Sequence, residues 1–221
     1  MIKIANCMEI THLGHSAFKM QGKHVTLVTD PYKEDLVGLK FPKVTADIVT
    51  VSHQHDDHNF IGGISGNPII VAGPGEYEIK GVRIIGIASY HDAAKGSQRG
   101  KNTIYHFVIG GVSIVHCGDL GDKLDDNAID RLDNVDLLMI PVGGFYTISA
   151  KEAAEIIYRL EPKVVIPMHY HTPKLNQDNF GKMASVDIFL KEMGREGIQP
   201  QAKLTISKDK LPVETTVVVF E

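Results

Sequence analysis

Within eight residues the chain sets three histidines and two aspartates side by side, Ser52-His53-Gln54-His55-Asp56-Asp57-His58-Asn59. The stretch directly follows Asp47-Ile48-Val49-Thr50-Val51, a β-branched run that reads as a strand. Residues two apart in an extended chain point to the same side, so His53 and His55 can offer two imidazoles to one cation. Asp57 and His58, after the chain turns, can reach a second cation beside it. Imidazole nitrogen and carboxylate oxygen suit zinc, iron or manganese, and no thiolate is needed. The alternative is a polar loop merely rich in His and Asp, and four donors at strand-end spacing argue against it. Two later segments end strands in the same manner: Val115-His116-Cys117-Gly118-Asp119 supplies a carboxylate and Val164-Val165-Ile166-Pro167-Met168-His169 an imidazole. Strand ends along one sheet edge are where loops carry function.

The rest of the chain supplies a scaffold for such an edge. Its 221 residues, 43% of them apolar, predict a single domain over 1–221 with a substantial core. Short β-branched runs at Val25–Thr29, Pro68–Val71, Val82–Ile87, Thr103–Ile109, Val112–His116, Val135–Ile140, Lys163–Ile166 and Thr215–Phe220 read as further strands. Gly110-Gly111 between two of them is a hairpin signal, since both turn positions tolerate positive φ. Ser149-Ala150-Lys151-Glu152 has the capping-box form and opens a helix through Leu160, stopped by Pro162. A second helix is expected over Val186–Arg195, ended by Gly197. Strands first, helices late and no strict βαβ alternation predict an α+β fold of two packed sheets.

Composition narrows the setting. Lys plus Arg (23) against Asp plus Glu (27) leaves a net charge of −4, which argues against a broad nucleic-acid-binding face. Two cysteines, Cys7 and Cys117, form no disulfide framework, and both are expected to be inert. No apolar stretch reaches the roughly 18 residues of a membrane span, and no signal peptide is visible, so a cytoplasmic protein is expected. Of the eleven histidines, His106 and His116 lie within strands and are expected to be structural. His12 and His24 show no reason beyond surface or packing.

The His-x-His-x-Asp-His run, the Gly118-Asp119 pair and the strand-end His169 together resemble the metallo-β-lactamase superfamily. Gly14-His15-Ser16, Thr29-Asp30-Pro31 and Pro167-Met168-His169-Tyr170 extend the resemblance over most of the chain. It implies a four-layer αββα sandwich with a two-metal site along one edge. The resemblance implies His53, His55 and His91 for the first metal, Asp57, His58 and His169 for the second, and Asp119 as the bridge. His91 stands in Ala88-Ser89-Tyr90-His91-Asp92 rather than the family's His-Thr-Pro-Gly-His. That departure resembles the small bacterial metal-dependent hydrolases related to ascorbate-6-phosphate lactonase.

Two divalent transition-metal ions, zinc first and manganese or iron next, imply a metal-bridging hydroxide and hydrolysis without a covalent intermediate. Asp57 is the expected catalytic carboxylate, orienting the nucleophile and passing a proton to the leaving group. Electron-transfer di-iron members typically carry a carboxylate where this chain has His55. A phosphodiesterase or nuclease and a non-catalytic metal-binding sensor remain the rival readings. Arg99, Lys101 and Asn102, in one loop, either meet a substrate phosphate or carboxylate or project into solvent. His15, Tyr146 and His171 are further candidates to line the pocket. The expected partner is a small anionic ester or lactone, with no nucleic acid and no membrane; homo-oligomerisation is left open.

Overall fold

The computed structural model describes residues 7–221. Its strands are β1 (Met8–Gly14), β2 (Ala17–Gln21), β3 (Thr26–Thr29), β4 (Val44–Thr45) and β5 (Ile48–Val51). These are followed by β6 (Ile64–Ser65), β7 (Ile69–Ala72), β8 (Gly75–Ile79), β9 (Val82–Tyr90) and β10 (Lys101–Ile109). The last five are β11 (Val112–His116), β12 (Leu137–Pro141), β13 (Val164–Met168), β14 (Leu204–Ile206) and β15 (Thr216–Val217). The helices are α1 (Glu34–Val37), α2 (Asp126–Arg131), α3 (Ala150–Leu160), α4 (Gln177–Phe180) and α5 (Val186–Glu192). One sheet runs β14-β1-β2-β3-β5-β7, the other β15-β13-β12-β11-β10-β9-β8, and β4 pairs with β6.

Period-two alternation sorts side chains between layers. Leu27 and Ile48 enter the core shared by the two large sheets, together with Phe18, Ile104, Phe107 and Ile114. Their neighbours Val28, Val49 and Val51 face outward and are covered by Val37 of α1 and Phe180 of α4. On the far sheet, Ala153, Ile156 and Ile157 of α3 and Phe189 and Leu190 of α5 complete the larger cluster. The order is helix, sheet, sheet, helix, the αββα sandwich. Each fully buried Leu, Ile or Phe contributes about 1.5–3 kcal/mol relative to exposure.

Strand direction places the site. β5 lies parallel to β3, and β11, β12 and β13 run parallel to one another. Residues that follow these strands therefore leave at the same edge. The turn joining β10 and β11 pairs Ile109 with Val112, and Gly110 and Gly111 take φ of 59° and 84°. α3 starts on the expected capping box, with Ser149 accepting from Glu152 N–H and Glu152 reaching back. α5 stops at Glu192, before the expected Arg195, because Gly194 turns left-handed at φ 61°. Among the described residues no helix is long and apolar enough to cross a membrane.

Candidate metal centre

Six chain segments deliver histidines and carboxylates to that edge: the β1–β2 turn (His15), the ends of β3 (Asp30) and β5 (His53–His58), and the ends of β9 (His91), β11 (Asp119) and β13 (His169). The buried Asp119 stands at the centre. Its Oδ2 lies 3.2 Å from His58 Nε2, 3.2 Å from His91 Nε2, 3.1 Å from His169 Nε2 and 3.9 Å from His53 Nε2. His55 is exposed, with its ring 4.6 Å from that of His53 and 5.1 Å from that of His91. Asp57 Oδ2 lies 3.6 Å from His58 Nε2 and accepts a hydrogen bond of 3.3 Å from His15 Nε2.

Two groups of donors emerge, each with ligand atoms within 4.8 Å of one another: His53 with His55 and His91, and His15 with Asp57, His58 and His169. The first is the set expected for the first metal. The second contains the expected second set plus His15, which the sequence marked only as a pocket residue. Asp119 groups with His53 and His58, between the two.

The site passes a direct test of fit to cations. His53 Nε2, His58 Nε2, His169 Nε2 and Asp119 Oδ1 are all buried without a hydrogen-bond partner. Leaving one such atom unmet costs about 1–3 kcal/mol, and four in one place fit a cation that serves them together. Nitrogens and oxygens crowd to hydrogen-bond distance around Asp119 but lack hydrogen-bond alignment, the pattern of lone pairs converging on shared points. Burial alone would raise the Asp119 pKa, yet the His169 and His58 imidazoles hold it well below the usual carboxylate range. Burial would likewise depress His58, but Asp119 and Asp57 drive it well above its ordinary value. His53 is pushed down to about 3, by burial first and then by His58. Ionised carboxylates at the bottom of an imidazole cage bind positive charge.

Asp30, noted in the sequence only within a Thr-Asp-Pro motif, orders this cage. It is fully buried and accepts from Ser52 N–H at 2.8 Å, Ser52 Oγ at 2.6 Å and His58 Nδ1 at 2.9 Å. The Ser52 hydroxyl spends its proton on Asp30, so at 3.0 Å it accepts from His53 Nδ1. Both Nε2 atoms are thereby turned toward Asp119. The left-handed φ of His15 (54°), Asp30 (41°) and His169 (52°) puts strain at the same edge. Gly118 permits the Asp119 loop to approach: a Cβ there would lie 2.5 Å from Ser52 Cβ and 2.4 Å from Asn102 Oδ1.

The remaining candidates divide. A cleft of about 250 Å³ is lined by His55, Asp57, His91 and Asp119 on the metal side, and by Arg99, Tyr146 and Phe180 among others. The Arg99 guanidinium lies over the Tyr146 ring, 5.5 Å from its centroid. Arg99 is carried there by a loop wrapped around the buried Asp92, whose carboxylate accepts backbone N–H groups of Ala94, Gly96, Gln98 and Arg99. Lys101 is exposed and lines a separate groove. Asn102 corrects its expected role. It is 1% exposed, its amide donates to Ser89 Oγ and Cys117 O, and its Oδ1 accepts from Asp119 N–H. With every polar atom engaged it holds the Asp119 loop and has none left for a substrate. His171 also stands apart from the cleft, bonded to Gln177 Oε1 at 2.8 Å.

Outside the centre, His116 bonds the Ser16 carbonyl and the Gly118 N–H, and His106 bonds Ser113, as expected for structural histidines. His12 packs on Phe18, 4.8 Å between ring centroids, and His24 is exposed. Burial pushes the Cys117 thiol well above its ordinary value, which makes it inert. Cys7, in contrast to the buried Cys117, is exposed.

A family model described as the β-lactamase superfamily domain matches residues 9–169. A metal-dependent hydrolase of Pelotomaculum thermopropionicum is 31% identical over 208 residues, covering 77% of this chain and 88% of that protein. A crystal structure from Thermotoga maritima, of a candidate zinc-dependent hydrolase of the metallo-β-lactamase superfamily, superposes with a TM-score of 0.78. Identity there is 36%, with 97% of this chain and 98% of that one covered. A diiron β-hydroxylase of Streptomyces venezuelae shares the fold alone, at 10% identity and a TM-score of 0.62 over 90% of this chain and 54% of its own. Matched motifs, sandwich and edge-on donor cluster agree: the chain belongs to the metallo-β-lactamase superfamily.

Proposed function

We propose that this chain is a two-metal hydrolase acting on a small anionic ester or lactone. The observation that carries the reading is the set of buried, unpartnered donor atoms on His53, His58, His169 and Asp119. His53, His55 and His91 would hold one ion, Asp57, His58 and His169 the other, and Asp119 both. When bound, two divalent ions, zinc before manganese or iron, supply a water acidified toward neutrality and positive charge for the developing oxyanion.

The protein's own groups do the rest. Asp57, with its side chain 14% exposed beside the cleft, can carry a proton from nucleophile to leaving group, and His15 N–H fixes the carboxylate for that task. Asn102 and Asp30 keep Asp119, His53 and His58 in register. Arg99, placed over the Tyr146 ring, is the cation that faces substrate, and its fork suits a carboxylate or phosphate. Phe180 and Tyr146 give the cleft an aromatic wall.

The test compares kcat/KM of zinc-loaded protein on anionic lactones, neutral lactones, phosphodiesters and a β-lactam, in wild type and Arg99→Ala. The anionic lactone should be preferred. Arg99→Ala should lower its kcat/KM about ten- to hundredfold, the equivalent of a lost charged hydrogen bond, and lower the neutral one less. Preference for the phosphodiester would favour the nuclease reading, and preference for the β-lactam would refute this one.

A further inference from the structure

A second space adjoins the metal cleft. It is a groove of about 580 Å³, against about 250 Å³ for the cleft. His55 and Arg99 line both, so the two spaces meet at these residues. Away from that boundary the groove is lined by Gln54, Thr103, Lys101 and the Gly73-Pro74 turn between β7 and β8. Gly73 and Gly100 leave it open, for a Cβ at either would meet no atom within 4 Å.

Its charge is one-sided. No carboxylate lines the groove, and its only ammonium and guanidinium groups belong to Lys101 and Arg99. Neither enters an ion pair among the described residues, whereas Lys33, Lys80, Lys203, Lys208 and Arg159 each meet a carboxylate. A compact molecule confined to the cleft would leave the larger space and Lys101 unused.

We infer that the substrate has two parts: a reacting ester in the cleft, and an extended arm ending in an anionic group that crosses His55 and Arg99 into the groove. Lys101 reads the charge of the arm, and Arg99 stands at the boundary. The inference rests on the hydrolase reading for its chemistry, but the recognition is separate from catalysis. Lys101 is exposed, so solvent screens its attraction and its effect is modest. The anion can be a carboxylate or a phosphate, since an ammonium meets either.

The experiment uses the zinc-loaded 221-residue protein and nitrophenyl esters whose acyl chains lengthen stepwise and end in a carboxylate, with methyl-ended esters of equal length as controls. The quantity read is the ratio of kcat/KM, anionic over uncharged. In wild type it should rise with chain length. At the longest chains it should fall about three- to fivefold in Lys101→Ala and about tenfold in Lys101→Glu. A ratio that ignores length, or that both variants leave unmoved, overturns the inference while hydrolysis itself stands. Should no ester be turned over, the hydrolase reading fails by itself, and calorimetry with free long and short dicarboxylates judges the groove. Tighter binding of the long one, lost in Lys101→Glu, supports it; equal binding overturns it.

Discussion

Asp30 shows how one side chain off the metal positions can govern several on it. Through Ser52 and directly, it sets the ring orientation of both His53 and His58. An amide at this position retains only one oxygen, and its NH2 cannot accept from His58 or from Ser52. Asp30→Asn should therefore weaken zinc binding about ten- to hundredfold, as losses of groups behind metal ligands do. Chelator competition measures it, and an unaltered affinity would show that the ring orientations are set elsewhere. The donors themselves were legible because a strand end followed by alternating histidines is a local pattern. Asp30 was not, because its partners Ser52 and His58 are 22 and 28 residues away and only folding brings them near. Asn102 misled for the same reason: beside Arg99 and Lys101 it looks like a loop residue facing substrate, yet it sits on β10 with its side chain turned inward.

At the scale of elements, β-branched runs and turn glycines were enough to locate most of the strands around the core. They passed over β1 and β2, whose Met8-Glu9-Ile10 and Phe18-Lys19-Met20 carry few β-branched residues. The alternation was there, with Ile10, Phe18 and Met20 buried in the core and Glu9 and Lys19 outward, but propensity is a weak guide when packing decides. The helix α3 was readable to its first residue because capping is local chemistry. Ser149→Ala removes the acceptor for Glu152 N–H and should cost about 1 kcal/mol. For a chain of this size that lowers Tm by about 2–4 °C. Thermal unfolding checks the shift, and metal content should not follow it; a loss of metal would mean that the helix start supports the centre as well as the sheet.

The whole molecule makes the centre by closing the sandwich. His53, His55, Asp57 and His58 leave the sheet containing β5, while His91, Asp119 and His169 leave the sheet containing β9, β11 and β13. Neither sheet owns a complete donor set, so cation binding and sandwich assembly support one another. We propose that these donors form one centre for two ions joined by Asp119. Elemental analysis of protein reconstituted with zinc tests it most directly, in wild type, Asp119→Asn and His106→Gln. Wild type and His106→Gln should each hold about two ions per chain, and Asp119→Asn about one or fewer. No bound zinc in wild type, or an equal loss in the two variants, would rule out a centre bridged by Asp119.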